Sequence, residues 1–291
     1  MADAPIRTES FPPIGELLKR QGKWLTKARS QHFLRRQETC ARIAEACALT
    51  PQDLAVEVGA GLGNLTVELA ARAGRVLSVE LDEEFREWHE FLSASYPGLE
   101  FLYRDFLKVN LPEAVAERRL TGNVVGVGNL PYQITSEILF AFLDSPVRFS
   151  KLVFMVQKEV ADRIASGPAT RESGALTYKI ALEYDVKEAL VVPPDEFLPP
   201  PKVWSSVIAL TPLREPHVTD PQLKRRVYTM LDRVFLYRRK TIANGLLQGG
   251  LATGRDHAQT VLAIAGIDEK RRPESLELPE VVALARALES R

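Results

Sequence analysis

The 291-residue sequence is poor in groups that bind metals, form disulfides or cross membranes; it has two cysteines and four histidines. Cys40 and Cys47 sit seven apart in a helical pattern, on one face but about 10 Å apart along the axis. That is too far for a disulfide, so buried, reduced thiols are expected. The histidines are scattered and unpaired with cysteine, so no metal site is expected. No apolar run approaches the roughly 20 residues that span a bilayer. Nothing at the N-terminus reads as a signal peptide. A cytoplasmic protein with no membrane partner is expected, and no internal repeat or low-complexity tract is present.

Net charge is absent too, with 38 Lys/Arg against 38 Asp/Glu, but its distribution is uneven. Residues 1–36 carry eight basic residues against three acidic, residues 37–110 six against thirteen, and Lys224 to Lys240 seven against one. Solvated helix faces would explain each run singly. Two basic poles on an acidic body point to a polyanion held at both ends.

The chain is organised around Asp53 to Asp82. An apolar run, Leu54 to Val58, leads into alternating glycines Gly59, Gly61 and Gly63. A helical pattern closed by Gly74 follows, then a second apolar run, Arg75 to Val79, ending on Glu80. This is a strand–turn–helix–strand unit with a carboxylate at the tip of its second strand. Glycines let the backbone turn sharply and approach a ligand, and the helix N-terminus aims amide N–H groups at the turn. Glu80, 21 residues after Gly59, is placed to accept both hydroxyls of a ribose. Asn64 occupies the third position of the dinucleotide fingerprint, which therefore fails. The frame is instead E-x-G-x-G-x-G from Glu57 to Gly63, similar to motif I of S-adenosylmethionine-dependent methyltransferases.

Along the chain, residues 1–36 form a basic arm containing an amphipathic segment, Ile14 to Leu25. The stretch Lys23 to Arg36 could dock on the core, cover a cofactor or touch RNA phosphates. A helix is expected from about Gln37 to Leu49, and an acidic one from Asp82 to Ser93 with Trp88 and Phe91 inward. A third strand, Leu99 to Tyr103, puts Asp105 where it can reach the exocyclic amine of an adenine. A fourth strand, Asn123 to Val127, runs into Gly128-Asn129-Leu130-Pro131-Tyr132. Strands follow at Lys151 to Val156, Val186 to Val192 and Val203 to Thr211, with a helix over Ser173 to Glu183 and a proline-rich loop from Pro193 to Lys202. From residue 213 only helical patterns remain. The expected architecture is α/β: a Rossmann-like methyltransferase domain over 37–212 and a small all-helical, RNA-binding domain over 213–291.

Asn-Leu-Pro-Tyr after a fourth strand suits methylation of a conjugated amine. The exocyclic nitrogen of adenine is a poor nucleophile because its lone pair is delocalised into the ring. Hydrogen bonds from its N–H groups to the Asn129 side-chain oxygen and the Leu130 carbonyl would shift it towards sp³ character. Pro131 fixes the backbone, and Tyr132 can stack on the base, contributing roughly 1–3 kcal/mol. No general base is obligatory, since positioning and charge stabilisation carry the chemistry. A base inside RNA must first be unstacked.

With these motifs in view, the chain resembles the ribosomal RNA adenine N6,N6-dimethyltransferases, bacterial KsgA (RsmA) type, from about Lys27 to the C-terminus. The likeness also rests on Phe154-Met155-Val156-Gln157-Lys158-Glu159-Val160-Ala161, Gly174-Ala175-Leu176-Thr177, Phe197 through Val203, and Arg238-Arg239-Lys240-Thr241. The resemblance implies a class I methyltransferase fold with S-adenosyl-L-methionine as cofactor, held by His32, Leu34, Gly59, Gly61, Glu80, Asp105 and Asn129. It implies Asn129, Leu130, Tyr132 and Phe197 around the target adenine, with Phe197 as a second stacking face. It implies a monomer acting on the small ribosomal subunit and its rRNA. The product would be two adjacent dimethyladenosines near the 3′ end of 16S rRNA, made in the course of subunit maturation. Lys224, Arg225, Arg226, Arg238, Arg239 and Lys240 would then grip rRNA phosphates.

Three positions depart from the family pattern. Ser30-Gln31-His32-Phe33-Leu34 replaces Gly-Gln-Asn-Phe-Leu, so His32 either supplies one of two amide hydrogen bonds or acts through its backbone. Ala60 stands where proline is common, and Ser173 where tyrosine often precedes the glycine. Among rivals, the resistance methyltransferase of large-subunit rRNA shares Asn-Leu-Pro-Tyr, whereas Phe-Leu-Pro-Pro-Pro-Lys-Val-Trp-Ser-Ser favours the small subunit. DNA adenine methyltransferases more often carry Asp/Asn-Pro-Pro-Tyr. A non-catalytic assembly factor would be expected to lose Glu80, Asn129 or Tyr132. A nicotinamide oxidoreductase fails on Asn64 and on the lack of a hydride-transfer set.

Overall fold

The computed structural model describes residues 8, 11–20 and 32–289. Most of the basic stretch from Lys23, and the end of the amphipathic segment at Leu25, lie outside the described residues. Two compact units emerge. One comprises residues up to Ala161 together with Lys187–Thr211, and the other Asp162–Val186 with Pro212–Arg291.

The first unit is built on a seven-stranded sheet in the order β4-β3-β2-β5-β6-β9-β7. Its strands are β2 (Leu54–Val58), β3 (Arg75–Glu80), β4 (Leu99–Tyr103), β5 (Val124–Asn129), β6 (Lys151–Gln157), β7 (Tyr184–Val192) and β9 (Ser205–Pro212). Strands β4, β3, β2, β5 and β6 are parallel, and β9 runs antiparallel to β6. All five residues of β2 are buried, as a central parallel strand covered on both faces requires. That is why its sequence is an unbroken apolar run apart from Glu57. Strand β7, at the sheet edge, alternates towards solvent. The order reverses between β2 and β5, so a crevice opens at the carboxyl ends of these two strands, the usual ligand position in such sheets.

Helix α2 (Gln37–Cys47) packs Cys40, Ile43, Ala44 and Cys47 into the main core with Leu65, Leu69, Val125 and Val153. Burial pushes both thiols up, Cys47 to about 12, so they behave as small apolar side chains. Helix α3 (Asn64–Ala70) follows the glycine turn, and α4 (Arg86–Ser95) follows β3. On α4 the fully buried residues are His89 and Leu92; Trp88 and Phe91, expected inward, are half-buried against the core. Helix α1 (Ile14–Arg20) buries Ile14, Leu17 and Leu18 against Phe33, Leu62 and Phe85. Docking on the core is thus the role seen for the described part of the arm.

An element absent from the sequence reading ties the arm to the proline-rich loop. Phe33–Leu34 forms β1 and pairs antiparallel with β8, Phe197–Leu198. Each is a two-residue strand, too short to carry a periodic signal.

The second unit holds α8 (Ala175–Glu183), α9 (Pro221–Phe235), α10 (Ile242–Gln248), α11 (Arg255–Ile264) and α12 (Leu278–Ala287). The expected helical character after 213 is present. The boundary is not a single cut near 212, because Asp162–Val186 joins this unit. The reason is packing: α8 buries Leu176, Tyr178, Lys179, Ile180 and Leu182, and Lys179 reaches Asp232 of α9 at 3.0 Å with Tyr228 beneath its ammonium. Helix α9 starts where Asp220 accepts from the N–H groups of Gln222 and Leu223 ahead of Pro221 at the first turn, a strong N-terminal signal.

Gly63 carries a positive φ of 83°, and a Cβ there would lie 2.4 Å from Leu92 Cδ1. Left-handed strain of about 1–2 kcal/mol adds to overpacking of about 1–3 kcal/mol. Gly63→Ala is therefore expected to cost about 2–5 kcal/mol by urea unfolding. A loss below about 0.5 kcal/mol would mean that the turn and Leu92 relax without resistance.

Candidate active site

A cavity of about 560 Å³ opens at the carboxyl ends of β2, β3 and β5, within the range of small-molecule sites. His32, Gly59, Gly61, Glu80, Asp105, Asn129, Leu130 and Tyr132, separated by up to a hundred residues in sequence, all line it.

The floor is the glycine turn. Gly59 and Gly61 have φ of 79° and 54°, a conformation that favours glycine. A Cβ on Gly61 would also meet the Phe33 ring at 2.9 Å. The Gly61 N–H donates to Glu80 Oε2 and the Asp82 N–H to Oε1, both at 2.8 Å. The carboxylate is thereby fixed at the tip of β3, and each oxygen keeps a further acceptor site. Burial pushes Glu80 up, and these N–H bonds oppose the shift. A buried acceptor with spare capacity, above a floor of Gly59, Ala60 and Gly61, fits the ribose of an adenosine-containing ligand. Asp105 stands at the end of β4, where it accepts from the Leu107 N–H at 3.1 Å and pairs with Lys108 at 3.6 Å.

Helix α4 clamps the turn from behind through Trp88, expected inward, and His89, which the sequence pattern did not single out. Trp88 Nε1 donates to the Leu62 carbonyl at 2.7 Å. His89 Nε2 is 2.8 Å from the Gly61 carbonyl and Nδ1 is 2.9 Å from the Tyr103 hydroxyl. A carbonyl only accepts, so Nε2 carries the proton. The imidazole stacks on Phe101 at 3.9 Å. A signal existed: Phe85, His89 and Leu92 form one helical stripe, and a histidine on a buried stripe needs partners.

At the other wall, Asn129 ends β5. Its Nδ2 donates to the His32 carbonyl at 3.0 Å, which fixes the amide orientation and leaves Oδ1 as the acceptor facing elsewhere. His32 thus acts through its backbone here. Its imidazole is engaged as well, with Nδ1 donating to the Pro199 carbonyl at 2.7 Å. The Leu130 N–H donates to Met155 O at 3.1 Å, and the Thr135 hydroxyl takes the Pro131 carbonyl at 3.0 Å. Tyr132 is held by Ser205, hydroxyl to hydroxyl at 2.7 Å, with its ring near-parallel to His32 at 5.8 Å.

The structure places two expected site residues elsewhere. Leu34 is buried in the main core, and its carbonyl accepts from Asn64 Nδ2 at 2.7 Å. Asn64, which broke the dinucleotide fingerprint, thus pins β1. Phe197 is 1% exposed in the same core and pairs with Leu34. Its ring presents no face to the cavity in this conformation, so the second stacking face is not in place. The cause is the β1–β8 pairing, which turns both side chains inward.

Within the second unit, the basic cluster is not uniformly available. Lys224 pairs with Glu183 at 2.7 Å, and Arg226 with Glu289 and Asp220. Arg238 donates to the Arg171 carbonyl. Arg225, Arg239 and Lys240 are exposed.

The ribosomal RNA adenine dimethylase family model matches residues 25–284. The chain belongs to that family. It is 38% identical over 273 residues to the ribosomal RNA small subunit methyltransferase A of Geobacter metallireducens, covering 93% of this chain and 98% of that one. Among solved structures, the 23S rRNA methyltransferase ErmE aligns with a TM-score of 0.62 at 28% identity, over 89% of this chain and all of that one. A dimethyladenosine transferase from Plasmodium falciparum aligns at 0.70 and 23% identity, over 87% and 96%. The Rossmann-like methyltransferase sheet expected from the sequence is the fold these relatives share. In this member of the family, Glu80 and Asn129–Tyr132 line one cavity.

Glu57, beneath this site, accepts from the Thr66 and Ser78 hydroxyls through Oε2, while Oε1 is buried with no partner among the described residues. Burial raises its carboxyl from 4.5 to about 7. The folded state therefore holds this proton more tightly than the unfolded one. The resulting stability is fully present below about pH 4.5 and lost as pH rises through about 7. Glu57→Gln should flatten the fall in stability between pH 5 and 8, gaining roughly 2–3 kcal/mol at pH 8. Parallel pH profiles for the two proteins would contradict this assignment.

Proposed function

We propose that the protein methylates N6 of two adjacent adenosines near the 3′ end of small-subunit rRNA, giving N6,N6-dimethyladenosines, with S-adenosyl-L-methionine as methyl donor. The observation that carries this reading is the locked amide of Asn129. One N–H of its NH2 donates to the His32 carbonyl, which sets the amide so that Oδ1 is available to accept from an exocyclic amine. Family membership and the small-subunit relative support the substrate class.

When bound, S-adenosyl-L-methionine would supply an electrophilic methyl on a sulfonium. Glu80 would accept ribose hydroxyls, Asp105 the amine of the cofactor adenine, and Gly59 and Gly61 would give the close approach. Asn129 Oδ1 and the Leu130 carbonyl would accept the two N–H bonds of the target adenine, localising the lone pair on N6. Tyr132, fixed by Ser205, would hold the base in plane. N6 would take the methyl as the C–S bond to the sulfonium breaks and leaves a neutral thioether, and its surplus proton would pass to water; positioning and oriented dipoles would supply the acceleration. After the first methylation one N–H remains, so Asn129 and Leu130 cannot both keep a donor. The second transfer therefore relies more on the stack with Tyr132.

Transfer of labelled methyl groups to small ribosomal subunits lacking the modification, with large subunits as control, tests the reading. About four methyls per small subunit are expected, two per adenosine. Labelling of the large subunit alone would move the protein to the specificity that the ErmE structure's description names. Asn129→Ala should reduce transfer at least 100-fold (about 2.7 kcal/mol, as for loss of one oriented catalytic dipole) while cofactor binding stays detectable. Full activity in that variant would remove Asn129 from its role.

Arg225, Arg239 and Lys240 are exposed cations of the cluster, and in this reading they contact rRNA phosphates. Changing all three to Ala should lower the slope of log affinity against log salt by about 2–3. An unchanged slope would take the cluster out of the interface.

A further inference from the structure

The stretch that bonds to the cavity-wall residues His32 and Tyr132 carries a large exposed ring with no role in the chemistry above. Trp204 is 53% exposed, Val203 42%, and Lys202 is exposed beside them. Single apolar residues on a surface need no explanation. This one differs in how its loop is held. At one end, the Pro199 carbonyl accepts from His32 Nδ1 at 2.7 Å. At the other, the Ser205 hydroxyl meets the Tyr132 hydroxyl at 2.7 Å. His32 and Tyr132 both line the cavity, so the stretch between Pro199 and Ser205 hangs from two cavity-wall residues. The Trp204 carbonyl is itself fixed by the Lys158 N–H at 2.9 Å. Ser205 pairs with Gln157 at the carboxyl end of β6, the sheet edge at which Asn129 ends β5. An indole is thus presented on a fixed backbone, one residue from the partner of Tyr132.

We propose that Trp204 is a stacking platform for the nucleotide next to the adenosine in the cavity, with Lys202 facing its phosphate; this rests on the rRNA adenine reading above. Withdrawing a base into a pocket strips its neighbour of a stacking partner. An exposed aromatic ring at the pocket rim replaces that partner for any base, because every base has a π-face. With two adjacent adenosines to modify, the platform holds one while the other is in the cavity. Trp204 therefore acts on substrate affinity and on progress from the first adenosine to the second.

Wild type, Trp204→Ala and Trp204→Phe are compared on small subunits lacking the modification. KM is measured, and mass spectrometry of the rRNA fragment counts modified adenosines. The Ala variant is expected to raise KM roughly thirtyfold, the middle of the range for one lost base stack, and to accumulate rRNA modified at one adenosine only. S-adenosyl-L-methionine affinity and the unfolding midpoint should stay as in wild type, since the ring is exposed, and Phe should restore most of the loss. A KM within twofold of wild type in the Ala variant overturns the stacking role, as does a Phe variant as impaired as Ala. Wild type that leaves small subunits unmethylated overturns the underlying rRNA reading, and the role with it. The wild-type arm alone reports that failure.

Discussion

The geometry of the site depends on two backbone N–H groups, those of Gly61 and Asp82, converging on the buried carboxylate of Glu80. One comes from the turn after β2 and the other from the chain just beyond β3. The carboxylate therefore fixes the glycine turn against the tip of the neighbouring strand. Burial alone would favour a neutral acid, and oriented donors oppose that tendency. The same donors leave acceptor capacity directed at the crevice. Shape and charge of the proposed cofactor pocket thus follow from one cluster of hydrogen bonds.

Around it, the molecule repeats a single device: each group facing the cavity is immobilised by a partner behind it. His89 and Trp88 hold the carbonyls of the glycine turn. The His32 carbonyl orients Asn129, and Ser205 orients Tyr132. Catalysis that relies on positioning, with no group required to take a proton, needs such fixed geometry. Two long-range links, His32 to Pro199 and β1 to β8, carry that rigidity from the arm to the proline-rich loop. The replacement of the family's asparagine by His32 costs little in this light, because its backbone carbonyl does the orienting.

Much of the fold was legible because its signals are local. The strands around Asp53 to Asp82 are apolar runs bounded by glycines, and α9 announces itself with Asp220-Pro221. The glycine turn, Glu80, Asp105 and the Asn129–Tyr132 segment were legible for the same reason: each is a short motif at the end of a strand. Leu34 and Phe197 were misplaced because a two-residue strand pair leaves no periodic trace, yet it decides which way both side chains point. The allocation of Asp162–Val186 was likewise hidden, since Lys179 finds Asp232 only through packing of two helices distant in sequence. Lys224 and Arg226 read as free charge in a basic run, and only their partners, Glu183 and Glu289, show otherwise.

The sequence by itself determined the α/β class, the helical character of the C-terminal region, the glycine turn with its carboxylate, and the chemistry that Asn-Leu-Pro-Tyr can perform. These are set by residue types at fixed short spacings, where backbone freedom and side-chain chemistry suffice. Only the tertiary structure decided which atom of His32 serves Asn129, that His89 secures the turn, that Phe197 lies in the core, and that Trp204 stands exposed next to the hydroxyl partner of Tyr132. Those outcomes depend on contacts between residues tens to more than a hundred positions apart. Their geometry is fixed by the sheet order and the β1–β8 pairing, and neither has a local signature.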